Sequence, residues 1–191
     1  MSSQPLTFLT PEEYLAAERK AEHRSEYLNG EVFAMSGASH QHNEIAGNIS
    51  WSLNDQLRKG ACKVYQLDLR VRVNPARAYM YAYPDMAVVC EKPRWEDEHH
   101  DTLLNPKVLI EILSPSTEPF DRGQKFAMYR KLDSLADYLL VAQDSVRVEH
   151  YRRQPNGDWL LSERSSLDDV VDLASVGATL KLYDIYHRVT F

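Results

Sequence analysis

Glu111 lies in the middle of an otherwise apolar run, Lys107-Val108-Leu109-Ile110-Glu111-Ile112-Leu113. Such a run suits a strand buried on both faces. A lone carboxylate there is costly unless it is paired, protonated or bound to a metal. Pro84-Asp85 opens a second apolar run, Met86-Ala87-Val88-Val89. Proline is tolerated at the first residue of a strand, so Asp85 projects from that strand's end. Two carboxylates on neighbouring strands can converge and offer oxygen ligands to Mg²⁺, with waters and a substrate phosphate completing the shell. Lys125 precedes Met128, Tyr129 and Leu132 by three, four and seven residues, which puts it on their inward helical stripe. There it can stabilise charge developing on a phosphorane, or orient a water. The same residues also permit a purely structural reading, in which Asp85 begins a turn and Glu111 forms a buried ion pair with Lys125.

The elements that must position these groups follow from local signals. Thr10-Pro11-Glu12-Glu13 reads as a helix start, with a Thr cap, Pro at the first position and Glu three residues after the cap. That helix runs to about His23. Tyr27 to Phe33 reads as two strands joined by Asn29-Gly30, residues that tolerate the positive φ of a type I′ turn. Ser39 to Lys59 is helical, with Ile45, Ile49, Leu53 and Leu57 on one stripe. Val64 to Val73 alternates as a half-buried strand. Strands follow at Pro84 to Cys90 and Lys107 to Leu113, separated by a charged, exposed loop from Glu91 to Asn105. Asp121-Arg122-Gly123-Gln124 reads as a capping box opening a helix to Asp133. A strand at Tyr138 to Ala142 and a hairpin of Val146 to Tyr151 with Trp159 to Glu163 come next. Ala178 to Tyr186 ends the chain as a strand and a helical turn. This order implies one α/β domain over residues 1–191, a central mixed β-sheet flanked by helices, with an N-terminal helix and β-hairpin.

Tyr83-Pro84-Asp85, the segment Glu111-Ile112-Leu113-Ser114-Pro115-Ser116-Thr117, and Asp121-Arg122-Gly123 with Lys125 together resemble the Uma-two family. Asn29-Gly30-Glu31, Met35-Ser36-Gly37, His42-Asn43 and Tyr151-Arg152 extend the likeness over nearly the whole chain. The resemblance implies a restriction endonuclease-like core of the PD-(D/E)xK type and a Mg²⁺ (or Mn²⁺) site that hydrolyses phosphodiesters. Asp85 and Glu111 are then the metal ligands. The usual lysine two residues after the second acid is replaced by Leu113, and Lys125 on the next helix is the matching substitute. The fold commonly adds an acid from an earlier helix. Glu44 lies beside the Ile45 stripe and Glu31 follows the Asn-Gly turn, so both are candidates. His42, on the stripe, and Asp121 complete the second tier; a His near a helix start is more often a satisfied polar group than a ligand.

Other signals are weaker. Arg70 and Arg72 share the polar side of their strand and can contact phosphates, or simply face solvent. His99-His100 reads as surface, while Trp51, Trp95 and Trp159 read as packing residues and Tyr129 and Tyr138 as core. The chain contains no GxGxxG, GxxxxGK or GxSxG motif. Its net charge of −6 disfavours a protein that coats nucleic acid by bulk charge, so DNA contact requires a local basic patch or a metal. Cys62 and Cys90, far apart and without a CxxC pattern, read as reduced structural thiols, although they can pair in an oxidising compartment. With no apolar membrane span and no signal peptide, a cytoplasmic location is expected. The function expected is a metal-dependent endonuclease acting on DNA as a homodimer, since cutting two strands favours two-fold symmetry. The alternative is a catalytically inactive module of the same fold that binds nucleic acid or protein.

Overall fold

The computed structural model describes residues 8–35, 37–66, 68–74 and 78–191. Ser36 of the Met35-Ser36-Gly37 match, Leu67 of the alternating stretch and residues 1–7 of the N-terminal stretch read as no signal peptide lie outside the described residues. Helix α1 (Pro11–Glu18) forms as its cap dictates: the Thr10 hydroxyl accepts from the Glu13 N–H, and the Glu13 carboxylate accepts from the Thr10 N–H. It stops at Glu18 rather than near His23. Strands β1 (Ser25–Leu28) and β2 (Glu31–Ala34) pair antiparallel across Asn29-Gly30, whose φ values are 51° and 101°. Both are positive, as a type I′ turn requires. Helix α2 (His40–Leu57) is capped by the Ser39 hydroxyl, which accepts from the His42 N–H at 3.0 Å. Its stripe of Ile45, Ile49, Leu53 and Leu57 is buried. Each such side chain contributes about 1.5–3 kcal/mol of apolar burial.

The alternating stretch does not form one strand. β3 (Lys63–Gln66) and β4 (Arg70–Val73) belong to different sheets, with Asp68 between them at φ 49°. Alternation continues in register across the break, so hydropathy alone cannot reveal the change of sheet. β5 (Met80–Ala82) joins β1 and β4, and β7 (Thr102–Leu103) pairs parallel to β4, giving the order β2-β1-β5-β4-β7. The segment expected to be an exposed loop therefore carries a buried strand, and Trp95 bridges to Leu103.

The central sheet has the order β11-β10-β9-β8-β6-β3, formed by β6 (Met86–Val89), β8 (Val108–Leu113), β9 (Asp137–Ala142), β10 (Val148–Arg153) and β11 (Trp159–Arg164) beside β3. β8 runs antiparallel to β6 and parallel to β9, so the expected mixed sheet is present. Every residue of β6, β8 and β9 is buried. One face packs α2 together with β12 (Val170–Leu173), β13 (Ala178–Lys181) and α5 (Leu182–Ile185). The other face packs the first sheet and the segment after β8. That segment is α3 (Glu118–Phe120), a π-helical turn at Asp121–Lys125, and α4 (Phe126–Tyr129).

Cys62 and Cys90 are joined by a disulfide, which corrects the reading as reduced thiols. They are 28 residues apart, but the pairing of Lys63 with Val89 brings them opposite each other at the end of the β3–β6 ladder. Trp51 is 70% exposed and is not a packing residue, whereas Trp95 and Trp159 pack against the core as expected. No helix among the described residues is long and apolar enough to cross a membrane.

Gly30 holds the turn that presents β1. An added Cβ at φ 101° is strained and meets the Phe8 ring 2.6 Å away. Gly30→Ala is expected to lose about 1–2 kcal/mol of stability, measured by urea denaturation. Unchanged stability would show that the turn does not require left-handed backbone.

Candidate active site

Asp85 precedes β6 directly, and continuing the Met86-to-Ile110 register sets it opposite Glu111 on β8. Its carboxylate is held from two sides: Oδ2 accepts from the Ile112 N–H at 2.6 Å, and Oδ1 lies 3.0 Å from His42 Nε2. The Ser39 cap places His42 in the first turn of α2, and its ring reaches the end of β6. Burial pulls the His42 imidazole toward neutrality, but the bond to Asp85 and the charges of Asp85 and Asp121 outweigh it and raise its pKa.

Glu111 points into the opposite layer. Its Oε1 lies 3.0 Å from Lys125 Nζ and accepts from the Tyr129 hydroxyl at 3.1 Å. Lys125 is 4% exposed and shared by three acids: Glu26 at 2.9 Å, Glu111 at 3.0 Å and Asp121 at 3.3 Å. All three acids are buried. Glu26 comes from β1, and its Oε1 also accepts from the Tyr83 N–H at 2.9 Å. The site is therefore assembled from both sheets, α2 and the π-helical turn.

Asp121 and Lys125, four residues apart, open and close a π-helical turn and share one of its faces. Its wider winding is a local departure often seen at functional sites. Asp121 sits inside this turn, buried beside Lys125, so it does not cap the helix as Asp121-Arg122-Gly123-Gln124 suggested. Hydroxyls of Ser114 and Thr117 organise the preceding loop, and the Tyr138 hydroxyl donates to the Asp121 carbonyl at 3.1 Å. On the outside, Arg122 pairs with Glu118 at 2.8 Å and with Glu149.

One ammonium cannot balance three buried carboxylates with a fourth, Asp85, nearby. Burial pushes the Glu111 carboxyl well above its ordinary range; Lys125 opposes this, while Asp121, Asp85 and Glu26 add to it. Asp121 is raised by burial in the same way, again opposed by Lys125. Burial alone would favour a neutral Lys125, yet Glu111, Glu26 and Asp121 hold its pKa well above the usual lysine value. Lys125 is thus held cationic, while the Glu111 and Asp121 carboxyls keep their protons to higher pH than they would in water.

Asp85, Glu111, Lys125, His42 and Asp121 come together in this structure. Glu44 does not: it turns sideways to pair with His40 at 3.4 Å. Glu31 lies on β2 opposite Leu28 and is not among the acids that pair with Lys125. Arg70 is buried, paired with Asp101 and bonded to the Tyr83 and Thr102 hydroxyls, both at 3.1 Å. Neither a phosphate-contacting nor a solvated Arg70 survives. Arg72 pairs with Glu96 at 2.8 Å, where Tyr81 also donates. The acid missed from sequence is Glu26. It stands one residue before the stretch read as strand, and only its alternation with Leu28 marks it. Tyr129, read as core, is buried but also bonds Glu111.

The residue types suit a hard divalent cation: carboxylates, with an imidazole adjacent. Asp121 Oδ1 is buried, and its contact with the Lys125 ammonium is long, 3.3 Å, which leaves acceptor capacity for a cation or its water. Among the described residues no group of three or more His, Cys, Asp or Glu side chains is arranged to hold a metal ion as the side chains stand. An open site of two carboxylates and several waters is the usual arrangement for Mg²⁺.

The raised Glu111 pKa has a thermodynamic consequence. The folded state binds this proton more tightly than the unfolded chain. Stability therefore falls as pH rises from the unfolded value near ~4.3 through the higher folded value. Without divalent cations, Glu111→Gln is expected to gain stability relative to wild type between about pH 4 and pH 8, followed by thermal melts. A wild-type chain that gains on the variant over that range would contradict this electrostatic picture.

The chain is 34% identical over 189 residues to the uncharacterised protein slr1290 of Synechocystis sp., covering 99% of this chain and 97% of that protein. A second Synechocystis protein, the uncharacterised sll1609, is 37% identical over 155 residues, covering 81% and 86%. The crystal structure of a protein from Anabaena variabilis, described as a putative nuclease belonging to DUF820, superposes with a TM-score of 0.78. At 20% identity over 95% of this chain and 99% of that one, it shows the shared fold. The model of the Uma2 family, described as "Putative restriction endonuclease", matches residues 11–182, and the chain belongs to that family.

Proposed function

We propose that this chain is a metal-dependent endonuclease that hydrolyses DNA phosphodiester bonds with Mg²⁺ or Mn²⁺ held by Asp85 and Glu111. The observation that carries this reading is the buried excess of acid around Lys125, with Glu111 pushed up and Asp121 Oδ1 held by a long contact to that lysine. A divalent cation bound there polarises a phosphate and lowers the pKa of a coordinated water. The protein's own groups do the rest. The Ile112 N–H and His42 fix the direction of the Asp85 carboxylate. Tyr129 and Lys125 hold Oε1 of Glu111, so that carboxylate does not rotate. The Lys125 ammonium faces the site as a permanent positive charge, suited to stabilising a developing phosphate oxyanion or orienting the attacking water. In-line attack leaving a 5′-phosphate and a 3′-hydroxyl follows from analogy with the fold. The reading includes a homodimer and a cytoplasmic location, although a disulfide such as Cys62–Cys90 is uncommon there.

A second reading, a catalytically inactive module of the same fold, is favoured by the net charge of −6 and by the internal pairing of Arg70 and Arg72. Plasmid nicking separates the two. With Mn²⁺ or Mg²⁺ the wild-type chain is expected to nick. Asp85→Ala and Glu111→Ala should each lose roughly 100-fold or more, the scale of removing one transition-state stabilising group. Cleavage surviving in both variants would overturn the assignment. Metal binding is read separately from activity. Mn²⁺ should raise the melting temperature of the wild type, because a ligand that binds only the native state stabilises it. Asp85→Ala should show no such rise, and an equal rise in both would place the cation elsewhere.

A further inference from the structure

β11 is the outer strand of the central sheet, and no strand among the described residues pairs with its far side. Exposed edges of this kind are normally blunted by lysine, proline or a bulge. The middle of β11 has none of these: Leu160 is 58% exposed, Leu161 is 50% exposed, and Ser162 follows.

The hydrogen-bond pattern determines what the edge offers. The Gln154 N–H donates to the Asp158 carbonyl, and the register pairs Arg152 with Leu160, His150 with Ser162 and Val148 with Arg164. Bonded and non-bonded pairs alternate in an antiparallel ladder. Leu160, Ser162 and Arg164 therefore spend their main-chain groups on β10. Trp159, Leu161 and Glu163 turn theirs outward.

We propose that β11 pairs antiparallel with β11 of a second copy of this chain, about a two-fold axis at Leu161, making one continuous sheet across a homodimer. A self-complementary register must match outward-facing residues with outward-facing residues, which restricts the choices. Centring on Leu161 sets Trp159 opposite the partner's Glu163 and Leu161 opposite the partner's Leu161. About six new main-chain hydrogen bonds result. The same register brings Asp158, just before β11, opposite Arg164 of the partner subunit, twice by symmetry. These two residues have no ion-pair partner among the described residues: Asp158 accepts from the Asn156 side chain, and Arg164 donates to the Glu163 carbonyl. They fall at a non-hydrogen-bonded position, where side chains approach most closely. Registers shifted by one outward residue lose this charge match. Leu160 then lies beside the partner's Ser162, covering apolar surface that is otherwise exposed. This assignment deepens the two-fold arrangement proposed above and does not depend on the nuclease chemistry.

Sedimentation velocity and light scattering across a concentration series, without DNA or metal, test it. The wild-type chain should reach twice 22.0 kDa. Leu161→Asp, which sets two carboxylates against each other on the axis, should remain monomeric. Asp158→Arg and Arg164→Asp each place like charges opposite one another. Each should raise the dimer dissociation constant by roughly tenfold or more. The double variant Asp158→Arg/Arg164→Asp should recover wild-type association, which a merely misfolded chain cannot do. A wild-type chain that stays monomeric at every concentration overturns the proposal. So does a dimer indifferent to Leu161→Asp and to the charge swap. A monomeric variant that still nicks DNA leaves the catalytic reading intact.

Discussion

The structure is organised around a single buried ammonium. Lys125 has no access to bulk water, and its charge is tolerable only because Glu26, Glu111 and Asp121 approach within 2.9–3.3 Å. Each acid arrives on a different element: the first hairpin, the central strand β8 and the π-helical turn. Removing the lysine from such a cluster leaves buried carboxylates uncompensated, which is far costlier than losing a surface ion pair. The cluster therefore ties the two sheets together. It also holds more acid than its one lysine can neutralise, and the cation site proposed above rests on that imbalance.

Rigid surroundings allow this imbalance. Glu111 sits in a strand buried along its whole length, between β6 and β9. Tyr129, Tyr138 and the Tyr83 backbone supply hydrogen bonds to groups of the cluster from positions fixed by core packing. Beyond them, a second polar network links Glu18, Tyr83, Arg70, Asp101 and Arg19. It secures α1 and β4 behind the hairpin that carries Glu26. Arg70 therefore serves the architecture, even though its position in an alternating strand gives it the look of a phosphate-binding residue.

Much of this was legible in the sequence wherever local chemistry decides structure. The Thr10 cap, the Asn29-Gly30 turn and the α2 stripe all formed where their residues demanded. A carboxylate inside an apolar run identified Glu111, because such a residue must have a partner wherever it lies. What escaped was non-local. The disulfide depends on the pairing of β3 with β6, and the role of Glu26 depends on one sheet lying over another. The break between β3 and β4 leaves the alternation intact, and β12 was not anticipated. The π-helical turn hid behind a plausible capping pattern, since Asp and Gln three residues apart suit either geometry. The basic side chains of Arg70 and Arg72 show that polarity on a strand face cannot distinguish solvent from a buried acid.

The central claim is that Asp85 and Glu111 share one divalent cation while Lys125 stays charged beside it. The most direct measurement is a crystal structure soaked in Mn²⁺, read by anomalous scattering. A single strong peak liganded by the Asp85 and Glu111 carboxylates, with Lys125 still paired to Glu26, is the predicted result. Saturating Mn²⁺ with no peak there, and Glu111 still bonded only to Lys125 and Tyr129, would contradict it and leave the cluster a structural ion-pair network.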